Sequence, residues 1–483
     1  MSFKMKKIKL YILLKSISKD EFDDLYDFVI SPVMNKDASV IALYDFIKEN
    51  YDAAISGKLT KEEIYKKVIG PEEFNESKYW KLTSGLSKLI DKYLMYQFYE
   101  NDSYYQKNLL LDIYRTRNVP KLFETLSKEI RRSFDNEFNK GLSFYFNRTH
   151  YYFQKLSYLG DENIDEFEVD LKKMFEDLRM FFIMTNITSV SIISNFKDGF
   201  IKDAKKEIWM FDQILEYLNK NKNKVKKENH IVYIFFLIIL IKLDPSKEKY
   251  YFEIKKRLQT DKYRFSKNLL RHILINLFDY AVKKFISGNE KFLKEIYFMN
   301  KIMDENSLTL FGEFIQGGYF YSVVEHSALL GELEWAEEFI GKYGKYLNED
   351  YRESGLNLAK ARVFFELGDF DSSLMHLIRV DNLDHYFYLS HKVLLLQNYY
   401  EKKDFESIDR ILETTSKYLN RRIDISDELK NNFLKFFLFF RKLKTTANGK
   451  EYLSKNLLDE LSKEKFFIYR KWLQEKTKEL NHK

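Results

Sequence analysis

Only four prolines and sixteen glycines punctuate a chain of 483 residues. Proline removes a backbone donor and glycine loosens the backbone, so their scarcity argues against the many tight hairpins of an all-β protein and predicts long helices. The prolines, Pro32, Pro71, Pro120 and Pro245, stand where helices could begin, because the first helical position needs no N–H. No strand-length alternation of apolar and polar residues bounded by turn signals stands out. The expected fold class is all-α.

A chain of this length exceeds what one compact core usually supports, so two or three lobes or an elongated array are expected. Helix starts are legible early: Ser18 with Glu21, and Thr60 with Glu63, have capping-box spacing. Phe22, Leu25, Tyr26 and Val29 then share one helical face, as do Val40, Leu43, Tyr44 and Ile47. Leu82, Leu86, Leu89, Ile90, Tyr93 and Leu94 predict a longer amphipathic helix, giving an N-terminal bundle of four or so helices. Further on, Ile208, Phe211, Leu215 and Leu218 mark a stripe that ends in the lysine-rich run 219–228, read as a surface loop because its charges repel. Ile231–Ile241 reads as a buried core helix, and Phe433–Phe440, apolar on every side, as a central helix of the C-terminal lobe. The expected organisation is an N-terminal helical lobe (1–115), an irregular array of helical hairpins (116–300), a repeat region (301–420) and a C-terminal helical cap (421–483).

Composition narrows function mainly by exclusion. Cysteine is absent, which removes disulfides, thiol catalysis, thiolate zinc sites and iron–sulfur clusters. Lys4, Lys6, Lys7 and Lys9 precede an apolar stretch, Leu10–Leu14, that is too short for a signal-peptide core. Eleven residues of Ile231–Ile241 fall well short of the roughly 18 to 20 that a bilayer requires, so no membrane association and a cytoplasmic location are expected. The 43 Phe and 35 Tyr could offer stacking surfaces, but they accompany abundant Lys, Asn and Ile and read as the stock from which helical cores are built. Charge is uneven: residues 201–300 carry 22 basic against 12 acidic side chains, whereas 301–400 carry 8 against 16. That alternation could steer a charged partner.

The most specific feature is a weak internal repeat between Gly317 and Leu419. In its middle copy Ala361 and Phe364 precede Glu366-Leu367-Gly368-Asp369-Phe370, followed by Ser373, Leu377 and Val380. The earlier copy has Leu330-Gly331-Glu332-Leu333 with Ala336 and Ile340, and the later copy has Lys403-Asp404-Phe405 with Ile408 and Leu412. Positions 331, 368 and 403 are 37 and 35 apart, near a 34-residue repeat. A helix pair buries too little surface alone, a glycine permits the left-handed bend, and a small residue lets the helices approach. Gly288 with Leu293 and Tyr297 reads as a further, decayed copy.

These residues resemble the tetratricopeptide repeat, over about a fifth of the chain. The first-helix tryptophan and closing proline of that family are missing, and Lys403 replaces its glycine. The resemblance implies an α-solenoid of antiparallel helix pairs whose first helices line a binding face, with ligand-facing positions falling on Tyr321, Glu325, Arg362, Phe365, Gln397 and Tyr400. Residues Thr60–Tyr93, with Leu59, Ile64, Trp80, Leu86 and Leu89 as their apolar skeleton, look like the helix-turn-helix part of bacterial activators that join a winged helix to such repeats. Against this, helix continues past Lys92 where a wing should be, and the first hundred residues carry no net charge. The whole chain also resembles uncharacterised bacterial helical-repeat proteins.

Motifs that carry chemistry are scarce. The eight histidines include no His-Glu-x-x-His pair, and His385 and His391, six apart, face different ways on a helix. Neither a phosphate-binding Gly-x-x-x-x-Gly-Lys-Ser/Thr nor a Gly-x-Gly-x-x-Gly occurs, and no metal or cofactor is expected. Gly341-Lys342-Tyr343-Gly344 imitates an RNA-clamping Gly-x-x-Gly but lies in an acidic, helical context. The basic patch Lys220, Lys222, Lys224, Lys226, Lys227, Lys255, Lys256 and Arg257 could meet RNA or an acidic protein. The reading that follows is a non-enzymatic protein–protein interaction scaffold that holds a protein or peptide partner. Its alternative is a nucleic-acid-associated transcriptional regulator.

Overall fold

The computed structural model describes residues 9–159, 164–196, 204, 206–261, 265–381, 385–421, 427–447, 453–464 and 467–481. The fold is all-α, with 25 α-helices among the described residues and no strand beyond an isolated bridge between Phe311 and Phe314. The chain divides into two compact units, residues 1–137 with 143–178, and residues 138–142 with 179–483.

The first unit opens with α1 (Lys9–Ser16), α2 (Lys19–Ile30), α3 (Ala38–Glu49), short α4 (Tyr51–Ile55), α5 (Lys61–Val68) and α6 (Glu76–Asn101). Both expected capping boxes form. Ser18 Oγ accepts from the Glu21 N–H at 3.1 Å while Glu21 accepts from the Ser18 N–H at 2.7 Å, and Thr60 and Glu63 repeat the pattern at 3.2 and 2.8 Å. Leu25, Val29, Leu43, Ile47, Leu86 and Ile90 meet in one buried cluster, so six helices share the core where four were expected. Trp80, expected in that core, is 41% exposed: its indole N–H reaches Glu76 and Lys61 lies over its ring, which lets the residue stay at the surface. Helix α6 continues to Asn101, past Lys92. Then come α7 (Ser103–Thr116), α8 (Pro120–Asp135), α9 (Leu142–Leu159) and α10 (Ile164–Phe196), the last shared with the second unit. Pro120 occupies the first position of α8, whereas Pro32, Pro71 and Pro245 sit in turns before their helices.

The second unit continues with α11 (Phe211–Lys220), α12 (Lys222–Glu228), α13 (His230–Leu243), α14 (Glu248–Asp261), α15 (Lys267–Ile286) and α16 (Lys291–Glu305). The run 219–228 is therefore helix broken at Asn221, not the loop its charge suggested. Buried Val225 anchors it, and its lysines find carboxylates: Lys220 with Glu216 at 2.7 Å and Lys226 with Glu253 at 2.7 Å. Nine consecutive residues of α13, Ile231–Ile239, are at most 1% exposed, which makes it the expected core helix. No helix among the described residues is long and apolar enough to cross a membrane.

Six helices then form three successive pairs: α17 (Gly317–Leu329) with α18 (Leu333–Tyr343), α19 (Arg352–Glu366) with α20 (Phe370–Ile378), and α21 (His385–Glu401) with α22 (Phe405–Arg421). Each pair bends at the expected residue, and the bends share one hydrogen-bond pattern. At Gly331 (φ +86°), the Gly331 N–H donates to Ala328 O at 2.9 Å and the Glu332 N–H to Ser327 O at 3.0 Å. Gly368 (φ +79°) and Lys403 (φ +59°) repeat both bonds, as does Gly288 (φ +96°) between α15 and α16. This is the left-handed Schellman cap. Asn118 (φ +53°), between α7 and α8, adopts it as well without any glycine to announce it.

Lys403 is thus a side chain held in the backbone conformation that glycine takes at the other two bends. Changing Lys403 to Gly should stabilise the chain by about 1 kcal/mol and changing Gly368 to Ala should cost about as much, because a left-handed backbone strains any residue with a Cβ. Paired thermal melts will read the two shifts, and shifts of the same sign would contradict this account.

The unit ends with α23 (Asp427–Ala447), α24 (Leu453–Lys463) and α25 (Arg470–Asn481). In α23, Phe433, Phe436, Phe437, Phe439 and Phe440 are buried, but Leu438 is 51% exposed and Lys435 pairs with Glu464. The sequence predicts cover all round, but the helix is covered on only part of its circumference, because α22, α24 and α25 pack on it while the flank of Leu438 stays exposed.

Candidate functional site

The first helices of the three pairs lean on one another, α17 on α19 and α19 on α21, while each also packs on its own second helix. Small residues permit the approach. Ala336 and Ala361 are fully buried, and Ser373 Oγ donates to Ala361 O at 2.8 Å across the second pair. Gly317 admits the rings of Phe387 and Tyr351 so closely that a Cβ there would lie 2.6 Å from Phe387.

On the face shared by α17, α19 and α21, five of the six residues read from sequence come together, and all five are buried. Arg362, 1% exposed, donates from Nη1 to Gln397 Oε1 at 3.3 Å and from Nη2 to Glu366, and its guanidinium lies over the Phe365 ring at 5.4 Å. The Tyr321 hydroxyl donates to Glu325 at 3.4 Å. Burial works against the Arg362 charge, but Glu366, then Tyr469 and Glu325, outweigh it and hold its pKa above the ordinary arginine value. Beside them, burial pushes the His326 imidazole down, with Glu325 opposing. Tyr400 stands apart from this network, partly buried in an aromatic group with Phe405, Phe440 and Trp472.

The side chains that complete the face come from the end of the chain, and sequence reasoning missed them. The Tyr469 hydroxyl donates to Glu325 across 144 residues of sequence, and its ring faces the Arg362 guanidinium at 5.7 Å. Trp472 stacks on Phe440 at 5.7 Å and meets Tyr400 edge-on at 5.5 Å. Lys476 pairs with Glu401 at 2.9 Å, both side chains less than a fifth exposed. Burial raises the Glu401 carboxyl while Lys476 opposes it. Arg362 Nε and Gln397 Nε2, both buried, have no hydrogen-bond partner among the described residues. The only available signal was the spacing Tyr469, Trp472, Leu473, Lys476, which reads equally well as an ordinary amphipathic stripe.

Half of the basic patch is matched by carboxylates from within. Lys220 and Lys224 pair along the helix with Glu216 and Glu228, Lys226 pairs with Glu253, and Lys255 with Glu295 at 2.6 Å. Lys222 lies over the Tyr250 ring at 4.6 Å and Arg257 over Tyr233 at 4.9 Å, while Lys227 and Lys256 are exposed. Gly344 follows α18, where a Cβ would meet Leu356 at 2.4 Å, and Gly341 lies within that helix. A surface cavity of about 260 Å³ between α14 and α16 is lined by none of the candidate residues. Compared with known proteins, the chain matches no family model, no curated sequence and no solved structure.

Proposed function

We propose that residues 317–421 are a tetratricopeptide-like α-solenoid and that the chain is a non-enzymatic scaffold holding a protein partner, as a helical segment, across the first helices of its repeats. The observation that carries this reading is the assembly of Tyr321, Glu325, Arg362, Phe365 and Gln397, drawn from three successive first helices, on one polar and aromatic face. Recurrence of one cap at Gly331, Gly368 and Lys403 supports the repeat itself. The pairing of four of the eight basic-patch residues with carboxylates favours a protein partner over nucleic acid, whose phosphates need unneutralised cations.

The test uses full-length chains immobilised in cytosol of the source cell, with captured proteins quantified. Tyr400→Ala and Glu401→Lys alter half-buried side chains beside the face, so the melting of each variant is recorded with its capture, and Lys227→Ala serves as a distant control. Capture should fall at least tenfold in the first two variants and stay unchanged in the control. Equal capture by all four chains sinks the scaffold reading.

A further inference from the structure

We propose that the segment Tyr469–Lys476 is an internal ligand of this face, and that the partner is an amphipathic helical peptide presenting the same anchors. The proposal rests on the scaffold reading and names its ligand class and regulation. Tyr469, the residue before α25, and Trp472, Leu473 and Lys476 within it have the spacing i, i+3, i+4 and i+7, the pattern by which a continuous helix lies in a groove. Each anchor has its own counterpart: Glu325 takes the phenol, Tyr400 and Phe440 hold the indole, Leu473 is fully buried, and Glu401 takes the ammonium. A segment that merely capped the array would touch the last pair. This one reaches back through Tyr469 to Glu325 on α17 and Arg362 on α19.

Two features make the internal segment a replaceable occupant. Tyr469 itself has φ +54°, a left-handed backbone that tyrosine disfavours, so seating its side chain strains the start of α25. Arg362 Nε and Gln397 Nε2 remain without acceptors among the described residues. A separate helix that enters without the strained turn and brings a carboxylate or amide oxygen to those donors binds the same face better. Tethering nevertheless gives the internal segment an effective concentration on the order of millimolar, so the closed chain resists weak ligands. A partner's apparent affinity falls by the fraction of chains that are open.

The probe is a fluorescein-labelled synthetic peptide of residues 467–481, titrated by anisotropy against full-length chains whose circular dichroism and melting are recorded alongside. Lys476→Glu sets like charges against each other at Glu401 and should release the internal segment, raising probe affinity at least tenfold over the unmodified chain. Glu401→Lys should instead select a probe carrying Glu at the position of Lys476 and reject the native one. A Lys476→Glu chain that folds and binds the native probe no better than the unmodified chain overturns the proposal, as does loss of the reciprocal charge preference. Should either variant fail to fold, hydrogen exchange decides on the unmodified chain: excess ¹³C-labelled peptide must accelerate exchange of the chain's own residues 470–481, and unchanged exchange overturns the proposal. Capture of partners that is lost in Tyr400→Ala and Glu401→Lys, without any gain for the probe, sinks the internal ligand and leaves the scaffold standing. Reciprocal probe binding without capture does the opposite.

Discussion

Replacing Arg362 with methionine should destabilise the second unit by about 3–5 kcal/mol, the usual cost of removing one partner from a buried charge network. The side chain is 1% exposed and touches three kinds of group at once: the Glu366 carboxylate, the Gln397 amide and the faces of Phe365 and Tyr469. Methionine fills much of the same volume but leaves Glu366 and Gln397 without their donor and Glu325 without the neighbouring positive charge. Arg362→Lys keeps the charge and loses the planar fork, so a smaller loss is expected. Calorimetry is the appropriate measurement because a chain of two compact units need not unfold in one step, and the transition that moves should be that of the second unit. A melt within a degree of the unmodified chain would mean that this network contributes nothing to the fold. The same burial governs how binding experiments are read. From sequence alone Arg362 and Phe365 look like ligand-facing positions suited to alanine tests, yet lost capture in such variants would report lost packing, and for that reason the half-buried Tyr400 and Glu401 are the better probes.

The legible parts of the fold are those governed by contacts a few residues long. Capping boxes at Ser18 and Thr60 were readable because a hydroxyl and a carboxylate three positions apart leave few other conformations. The bends at Gly331 and Gly368 were readable because glycine advertises a left-handed turn, and Lys403 became readable only through its spacing from them. Asn118 makes the same bend outside any repeat and so gave no signal. The run 219–228 misled because lysine repulsion is local and visible, whereas relief by Glu253 comes from another helix.

The site was half legible for the same reason. Glu325, Arg362 and Gln397 each stand six residues before their bend, and positions at equivalent offsets on successive first helices align, whereas Tyr400, three before its bend like Phe365, packs elsewhere. What covers that face was not legible. Tyr469 lies 144 residues beyond Glu325, and nothing in a tyrosine three residues before a tryptophan distinguishes a helix that seals its own chain from one that stays at the surface. Tertiary closure of this kind depends on loop geometry between distant elements, to which local pattern is blind.

Acidification should weaken the second unit well before its carboxylates are exhausted, and His391 is the main cause. Its ring is 7% exposed on α21, donates to Leu377 O at 3.1 Å, and is pushed by burial, with Lys392 adding to the effect, down to about 4. In the unfolded chain the imidazole titrates near its ordinary value of about 6.5. Above that pH both states are neutral and the full stability is present. As pH falls below it, the unfolded state takes up the proton that the folded state refuses, so stability declines by about 1.4 kcal/mol per unit until the folded ring also titrates, roughly 3 kcal/mol in all. His326 and His376, both depressed by burial, act with the same sign, while Glu401, whose carboxyl burial raises, acts against them. His391→Gln keeps a donor for Leu377 and removes the titration. Urea midpoints measured from pH 7.5 to 4.5 should therefore fall more steeply for the unmodified chain than for the variant, with the gap opening below about pH 6.5. Parallel profiles would show that His391 is protonated alike in both states, and the buried imidazole would then have to be charged inside the fold.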